Sequence, residues 1–256
     1  MVERSDRAPL ATFFSADVFA NGASVTLGED AAQHVRVLRM GPGEEVALRN
    51  GQGGAARGIL GRVAKKSLTV DVTDTWEIAP LAQVHMLVPV ADRDRMLLLA
   101  EKCTELCATS WRPVMWRRSR SVGPAGDGPA FNSRVRARMI SALTQSGGGW
   151  LPDIYPSAPV SRAIAAAPEG TRLLLDAAAE SMILSKSVEV PVVIAVGPEG
   201  GFDKKEREEM IEAGFIPVSL AGSMLRFETA GIAALSVVRA QLAVNRPEIS
   251  EDALNA

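Results

Sequence analysis

Apolar positions recur in two rhythms along the chain. Between residue 10 and about residue 78 they come in short runs separated by Gly, Asn and Pro, over residues 25–27, 45–49, 55–63 and 67–72. Runs of that length with turn residues between them predict strands of a small β-rich module. A single helical stretch over 29–39 interrupts them. Gly41-Pro42-Gly43 is expected to stop it, because neither residue type continues a helix well. Residues 76–83, centred on Pro80, read as a linker. Beyond the linker, apolar runs alternate with amphipathic stretches: strands over 84–90, 111–116, 172–175, 192–196 and 216–220, and helices over 93–108, 132–145, 203–213 and 228–242. Alternation of that kind predicts a mostly parallel sheet covered by helices, with its continuous apolar strands buried on both faces. No internal repeat or low-complexity tract breaks the pattern.

The most informative stretch is VVIAVGPEGGFDKKEREEM, residues 192–210. A buried strand runs into Gly197-Pro198-Glu199-Gly200-Gly201 and then into a helix whose expected N-cap is Asp203. Glu206, three positions later, completes a capping-box pattern. Glycines there let backbone approach a ligand closely, and the carboxyl end of a sheet strand is the usual place for one. The segment lacks the Lys-Ser/Thr pair of a P-loop and the spacing of a dinucleotide fingerprint. Glu199 would repel a phosphate, so a neutral or cationic ligand fits better; a glycine-rich turn with no ligand is the plainer alternative. About twenty residues on, Ser219-Leu220-Ala221-Gly222-Ser223-Met224-Leu225-Arg226-Phe227-Glu228-Thr229-Ala230 forms a strand end, an irregular loop and the start of a helix rich in small residues. Two such loops at the ends of adjacent strands can enclose an adenosine-containing ligand.

Composition narrows the classes. A hydrophobic content of 47% and a charged content of 23% are those of an ordinary globular protein, which excludes wholesale disorder. The N-terminus carries charges through its first seven residues, with no apolar core of a secretory signal, and no apolar run approaches the roughly 20 residues of a spanning helix. The expectation is a cytoplasmic protein without a membrane partner. Cys103 and Cys107 are spaced to share one helix face and read as buried free thiols. His34 and His85 stand far from them in sequence, so no metal site is expected.

The net charge of −2 hides a local concentration: residues 112–138 hold seven arginines against one acid, Asp127, with Trp111 and Trp116 interleaved. Guanidinium groups beside indoles suit an RNA-binding face; a solvated surface over two core tryptophans is the alternative. Glu101 and Glu105, one turn apart on either side of Lys102, are like charges at a spacing that disfavours the helix, so they are either a plain helix surface or kept for function.

GPEGGF followed by LAGSMLRFETA resembles the SPOUT methyltransferases of the ribosomal RNA small subunit methyltransferase E family. The resemblance extends to HVRVLRMGPGEEV (34–46), KKSLTVDV (65–72), EKCTELC (101–107) and Gln145-Ser146-Gly147, in family order over nearly the whole chain. It implies an α/β fold: a trefoil-knotted SPOUT methyltransferase domain over 79–256, preceded by a smaller PUA-like RNA-binding β-barrel over 1–78. It implies an enzyme that uses S-adenosylmethionine to methylate N3 of a uridine in small-subunit (16S) ribosomal RNA, on naked RNA or the assembled subunit, as a homodimer. An RNA-binding homologue with lost or altered catalysis is the alternative. By position in the motifs, Gly197, Glu199, Gly200, Leu220, Gly222, Leu225 and Thr229 are expected to hold the cofactor, and Arg226 and Glu228 to act in catalysis. Arg36, Arg39, Arg117, Arg118, Arg120 and Arg134 are expected to contact RNA. The chain departs from the family pattern at Thr144, at Gly148 where an arginine is usual, at Asp176 near a common histidine, and at Phe227 in place of threonine.

Overall fold

The computed structural model of the chain describes residues 10–119 and 128–244. They belong to two compact units, Met1–Pro80 with Ile140–Leu151, and Leu81–Met139 with Pro152–Ala256. Among the described residues no helix is long and apolar enough to cross a membrane.

The first unit is a five-stranded sheet built from β1 (Thr12–Phe14), β2 (Ser24–Leu27), β3 (Glu45–Arg49), β4 (Gly54–Val63) and β5 (Leu68–Glu77), in the order β1-β3-β4-β5-β2. β1 joins β3 in parallel and the other pairs are antiparallel. Alternation along the strands sends Val25, Leu27, Val46, Leu48, Leu60, Leu68 and Val70 to one core, closed by Ala32 and Val35 of helix α1 (Glu29–Val37). The helix ends earlier than its sequence predicts. Arg39 takes a left-handed conformation at φ 58°, and the Met40 N–H reaches back to the Val35 carbonyl, so the chain has turned before Gly41. The expected linker is also shorter, because Trp76 and Glu77 still pair with Ala55 and Gly54 in β5. Residues 147–151 are bonded into this unit: Gly53 N–H donates to the Gly149 carbonyl, Leu151 N–H to Gly51, and Trp150 Nε1 to the Ile78 carbonyl at 2.7 Å.

The second unit holds β6 (Val84–Pro89), α2 (Arg93–Glu105), β7 (Ser110–Met115), β8 (Asp153–Ile154), β9 (Ala158–Pro159), α4 (Val160–Ala165), β10 (Thr171–Leu175), β11 (Val192–Val196), α5 (Lys204–Glu212), β12 (Ile216–Val218) and α6 (Phe227–Val244). Helix α3 (Pro129–Ser146) begins in this unit and ends in the first. The strands run β12-β10-β11-β6-β7-β8, with β9 also on β7, and every pair is parallel. All five residues of β11 are buried, as a strand covered on both faces requires. Leu87, Val114, Leu174 and Val193 pack with Met210 and Phe215 beside α4 and α5, while α6 lies on β11, β6 and α2.

Side-chain caps position the ends of these helices. Asp203 and Glu206 form the capping box expected at α5, and Glu206 does more: its Oε1 also accepts the Arg117 N–H at 2.7 Å, tying the segment after β7 to the helix start. On α6, Arg239 donates to the carbonyls of Leu106 and Cys107 past the end of α2 and to that of Ala82 before β6; burial holds its pKa below the usual arginine range. Helix α2 stops at Glu105, short of the expected 108, and Cys107 sits past its end at φ 55°. The two cysteines therefore do not share a helix face: Cys103 is fully buried, with its thiol pKa pushed up by desolvation, and Cys107 is half-buried.

Glu206→Ala removes one half of the capping box and leaves the Arg117 and Asp203 N–H groups without their carboxylate acceptor. The expected loss is about 2–3 kcal/mol of stability, read as a lower denaturation midpoint, with Glu206→Gln losing less.

Candidate cofactor pocket

Leu175, Val196 and Val218 lie in register at the carboxyl ends of three adjacent parallel strands, β10, β11 and β12. The three segments that leave those ends surround one cavity of about 300 Å3, the size of a small-ligand site and in the expected place for an open parallel sheet. Residues 197–202 form one wall, residues 219–221 and 223–225 another, and Asp176 to Ala178 a third, with Phe227 and Ala230 of α6 at the base. Nearly half of the lining residues are Gly, Ala or Ser, and most of the rest are apolar. Gly197 is required by proximity: a Cβ built there would come 2.8 Å from the Phe202 ring, which itself packs edge-on against Trp116 at 4.9 Å. Gly200 is crowded in turn, because a Cβ would come 3.1 Å from Arg118 Cβ. Arg118 Nη1 donates to the Gly200 carbonyl at 3.1 Å, so the glycine turn is held from outside.

Carboxylates dominate the polar lining. Asp176 accepts Arg207 Nε on Oδ2 at 2.7 Å and the Ala178 N–H on Oδ1 at 2.9 Å, forming a balanced pair at the third wall. Glu199 faces Arg95 at 3.7 Å, and the same guanidinium stands 3.8 Å from Glu228, which is 6% exposed. One cation thus serves two carboxylates, and among the described residues Glu228 Oε2 has no hydrogen-bond partner. Within that cluster one arginine stands against two carboxylates, which favours a ligand group carrying positive charge beside Glu199.

The expected cofactor residues divide. Gly197, Glu199, Gly200, Leu220 and Leu225 line the cavity, whereas Gly222 and Thr229 are exposed and outside the lining. Neither expected catalytic residue lines it. Arg226 is exposed at the head of α6, where its carbonyl accepts the Ala230 N–H, and Glu228 is buried behind the wall against Arg95. Arg95 itself escaped the sequence reading; its position in the first turn of α2 carries no motif, and only the meeting of α2 with the glycine turn and α6 reveals its place. Asp176, noted as a departure, is part of the wall, and buried Phe227 forms its base.

The arginine-rich segment resolves against its tryptophans as stacking surfaces. Trp111 and Trp116 are 1% and 3% exposed, so both are core residues, and the segment offers no open indole. Arg117 and Arg118 are exposed but lean on Asp203 and the Gly200 carbonyl, while Arg134 is exposed on α3. Arg120 lies outside the described residues. In the first unit Arg36 donates to the Lys65 carbonyl and Arg39 is exposed at the turn after α1. The repulsion expected between Glu101 and Glu105 is relieved by Lys102, whose Nζ lies 2.7 Å from Glu105 and 2.9 Å from Glu101, with Arg138 adding to Glu101. Hydrogen bonding to Lys102 holds the Glu101 carboxyl below its usual range.

Gly197→Ala must displace the Phe202 ring from the cavity wall. The expected result is at least about tenfold weaker binding of S-adenosylmethionine by calorimetry, with the fold retained in circular dichroism. Arg95→Met leaves Glu228 buried without its cation and is expected to lower stability by about 3 kcal/mol, seen as a reduced melting temperature that Glu228→Gln in the same chain partly restores.

Comparison with known proteins agrees with this architecture. A family model described as an RNA methyltransferase domain matches residues 77–239, and one described as an RNA methyltransferase PUA domain matches residues 27–73. The chain is 27% identical to the ribosomal RNA small subunit methyltransferase E of Mycobacterium bovis over 90% of its own length and 91% of that protein. Among solved structures, a Legionella pneumophila methyltransferase with bound SAM superposes at a TM-score of 0.84, with 28% identity over 91% of this chain and 98% of that one. The Neisseria gonorrhoeae ribosomal RNA small subunit methyltransferase E bound to S-adenosyl methionine superposes at 0.81, with 27% identity over 90% and 97%. With the motifs, the two matched domains and the cavity in agreement, the chain belongs to the RNA methyltransferases of the ribosomal RNA small subunit methyltransferase E family.

Proposed function

We propose that the protein methylates small-subunit (16S) ribosomal RNA at N3 of a uridine, using S-adenosylmethionine. The observation that carries this reading is the cavity at the ends of β10, β11 and β12, where two glycine-bearing loops meet beside an excess of carboxylate. Similar proteins solved with the methyl donor bound, at 28% and 27% identity over nine-tenths of this chain, support it. The residues present fit such a ligand: apolar walls for an adenine, Asp176 for hydroxyl donors, and Glu199 for a positive group.

When bound, S-adenosylmethionine supplies an electrophilic methyl group on a cationic sulfur. The chain's own contribution is alignment and charge. Backbone of residues 197–201 and 219–221 confines the ligand with little side-chain rearrangement, which removes much of the entropic cost of bringing two reactants into line. The imide nitrogen of a uridine becomes a competent nucleophile only once its proton leaves. A cation near its flanking carbonyl oxygens favours that ionised form. Arg226, exposed beside the cavity residue Leu225, is the residue proposed to supply that cation. Glu228 acts through Arg95 as a positioning residue, holding the guanidinium against Glu199. The reading includes a division near residue 79 between an RNA-holding module and the methyltransferase domain, a trefoil knot in the latter, and a homodimer. It also places the enzyme in the cytoplasm.

Purified protein incubated with small-subunit ribosomal RNA, or with assembled small subunits, and labelled S-adenosylmethionine is expected to yield 3-methyluridine after nucleoside digestion. Donor binding without methyl transfer to either substrate would overturn the reaction and favour an RNA-binding homologue with altered catalysis. Arg226→Ala is expected to cut transfer at least about tenfold while leaving the melting temperature near that of the parent, because the side chain is exposed.

A further inference from the structure

The strands of the first unit bring together a second aromatic–cationic surface that the arginine-rich segment of the sequence does not contain. Arg49 at the end of β3, Ala55 in β4 and Trp76 in β5 pair across three neighbouring strands, so their side chains share one face of the sheet. Arg57, two residues beyond Ala55, is on the same face. Ala55 puts only a methyl group between Arg49 and the indole, and Arg57 reaches the ring on the diagonal: the Arg49 guanidinium carbon lies 5.3 Å from the centre of the Trp76 ring and that of Arg57 5.9 Å.

Three features separate this group from an ordinary packing contact. Trp76 keeps 36% of its surface open and Arg57 is exposed. Among the described residues neither guanidinium has a carboxylate partner; Asp74, across from Arg57 in the register, turns Oδ1 to the Thr75 N–H instead. Arg49 is fixed by donating Nε to the Gly147 carbonyl at 3.3 Å and Nη1 to the Leu48 carbonyl at 2.8 Å, which leaves its Nη2 donors unspent. Burial, and after it the nearness of Arg57, holds the pKa of Arg49 below the usual arginine range. Two like charges are thus crowded over one partly exposed indole, with no carboxylate between them among the described residues.

We propose that Arg49, Trp76 and Arg57 form a platform for single-stranded RNA, with an unpaired base stacked on Trp76 and the adjoining phosphates held by the two guanidiniums. Stacking on the part of the indole that the guanidiniums leave exposed tolerates any base, while the two cations suit the backbone on either side of it. A duplex hides its base faces and gains only the charge contacts. The inference rests on the reading of the chain as an RNA-modifying enzyme, and it adds where, outside the methyl-donor cavity, the substrate is gripped.

The test is fluorescence anisotropy of the full chain with a short labelled oligouridylate and with an RNA duplex of the same length, across a salt series. S-adenosylmethionine binding and melting temperature are measured in parallel. Trp76→Leu is expected to weaken oligouridylate binding at least about fivefold and duplex binding less. Arg57→Gln, at an exposed position that keeps the fold, is expected to flatten the slope of log affinity against log salt by about 0.7. Parental affinity and slope in both variants would overturn the platform, and so would equal losses on oligouridylate and duplex. If the parent binds RNA through these residues yet transfers no methyl group, the platform stands and the proposed reaction falls.

Discussion

Helix α6 approaches β11 and α2 so closely that its sequence has little latitude. A Cβ at Gly231 would meet both terminal carbons of Leu99 at 3.0 and 3.2 Å and Val196 at 3.5 Å. Ala234, Leu235 and Val238 follow on the same side with no exposure at all. Interiors packed to that density transmit a change of one methyl group to their neighbours. Here the neighbours include Val196, the last residue before the glycine turn, and Phe227, the first residue of α6 and the base of the cavity. The chamber therefore depends on a helix-to-sheet distance set by small residues, and Arg239 on three carbonyls at the far end keeps the helix from sliding.

The glycine turn needs support of its own, since glycines resist ordering more than other residues do. It receives support from both directions. Arg118 holds the Gly200 carbonyl from one side, and downstream the Asp203 and Glu206 box fixes where α5 begins. Glu206 also accepts the Arg117 N–H, so the segment that supplies Arg118 and the helix that follows the turn share one carboxylate. Two consecutive arginines that read in sequence as part of a basic surface contribute here, by main chain and by side chain, to the shape of the cavity wall.

Much of this was legible in residue patterns because the features concerned are local. The continuous apolar run 192–196, the capping-box spacing of Asp203 and Glu206, and the clustering of Gly, Ala and Ser after β12 each express themselves within a few positions. Features that depend on distant contacts were not legible. Arg95 matters through Glu199 and Glu228, more than a hundred residues away. The short strands β8 and β9 have too few residues for a period, and β1 pairs in parallel with β3 across α1. Trp111 and Trp116 sit among arginines in sequence, yet in a strand and its end they face a core, since neighbours along a strand point to opposite faces. Thr229 was expected at the pocket by motif position, but within the first turn of α6 it is exposed and outside the cavity lining, because neighbouring positions on a helix aim away from one another.

The shared guanidinium of Arg95 bears on turnover as well as on capture. On the proposed reaction the donor arrives with a sulfonium and departs as a neutral thioether, one positive charge poorer. A chamber in which Glu199 and Glu228 divide a single cation has less to hold after transfer than before it. With Glu199 on the cavity wall, that charge balance would favour the sulfonium form of the donor over the neutral thioether left after transfer.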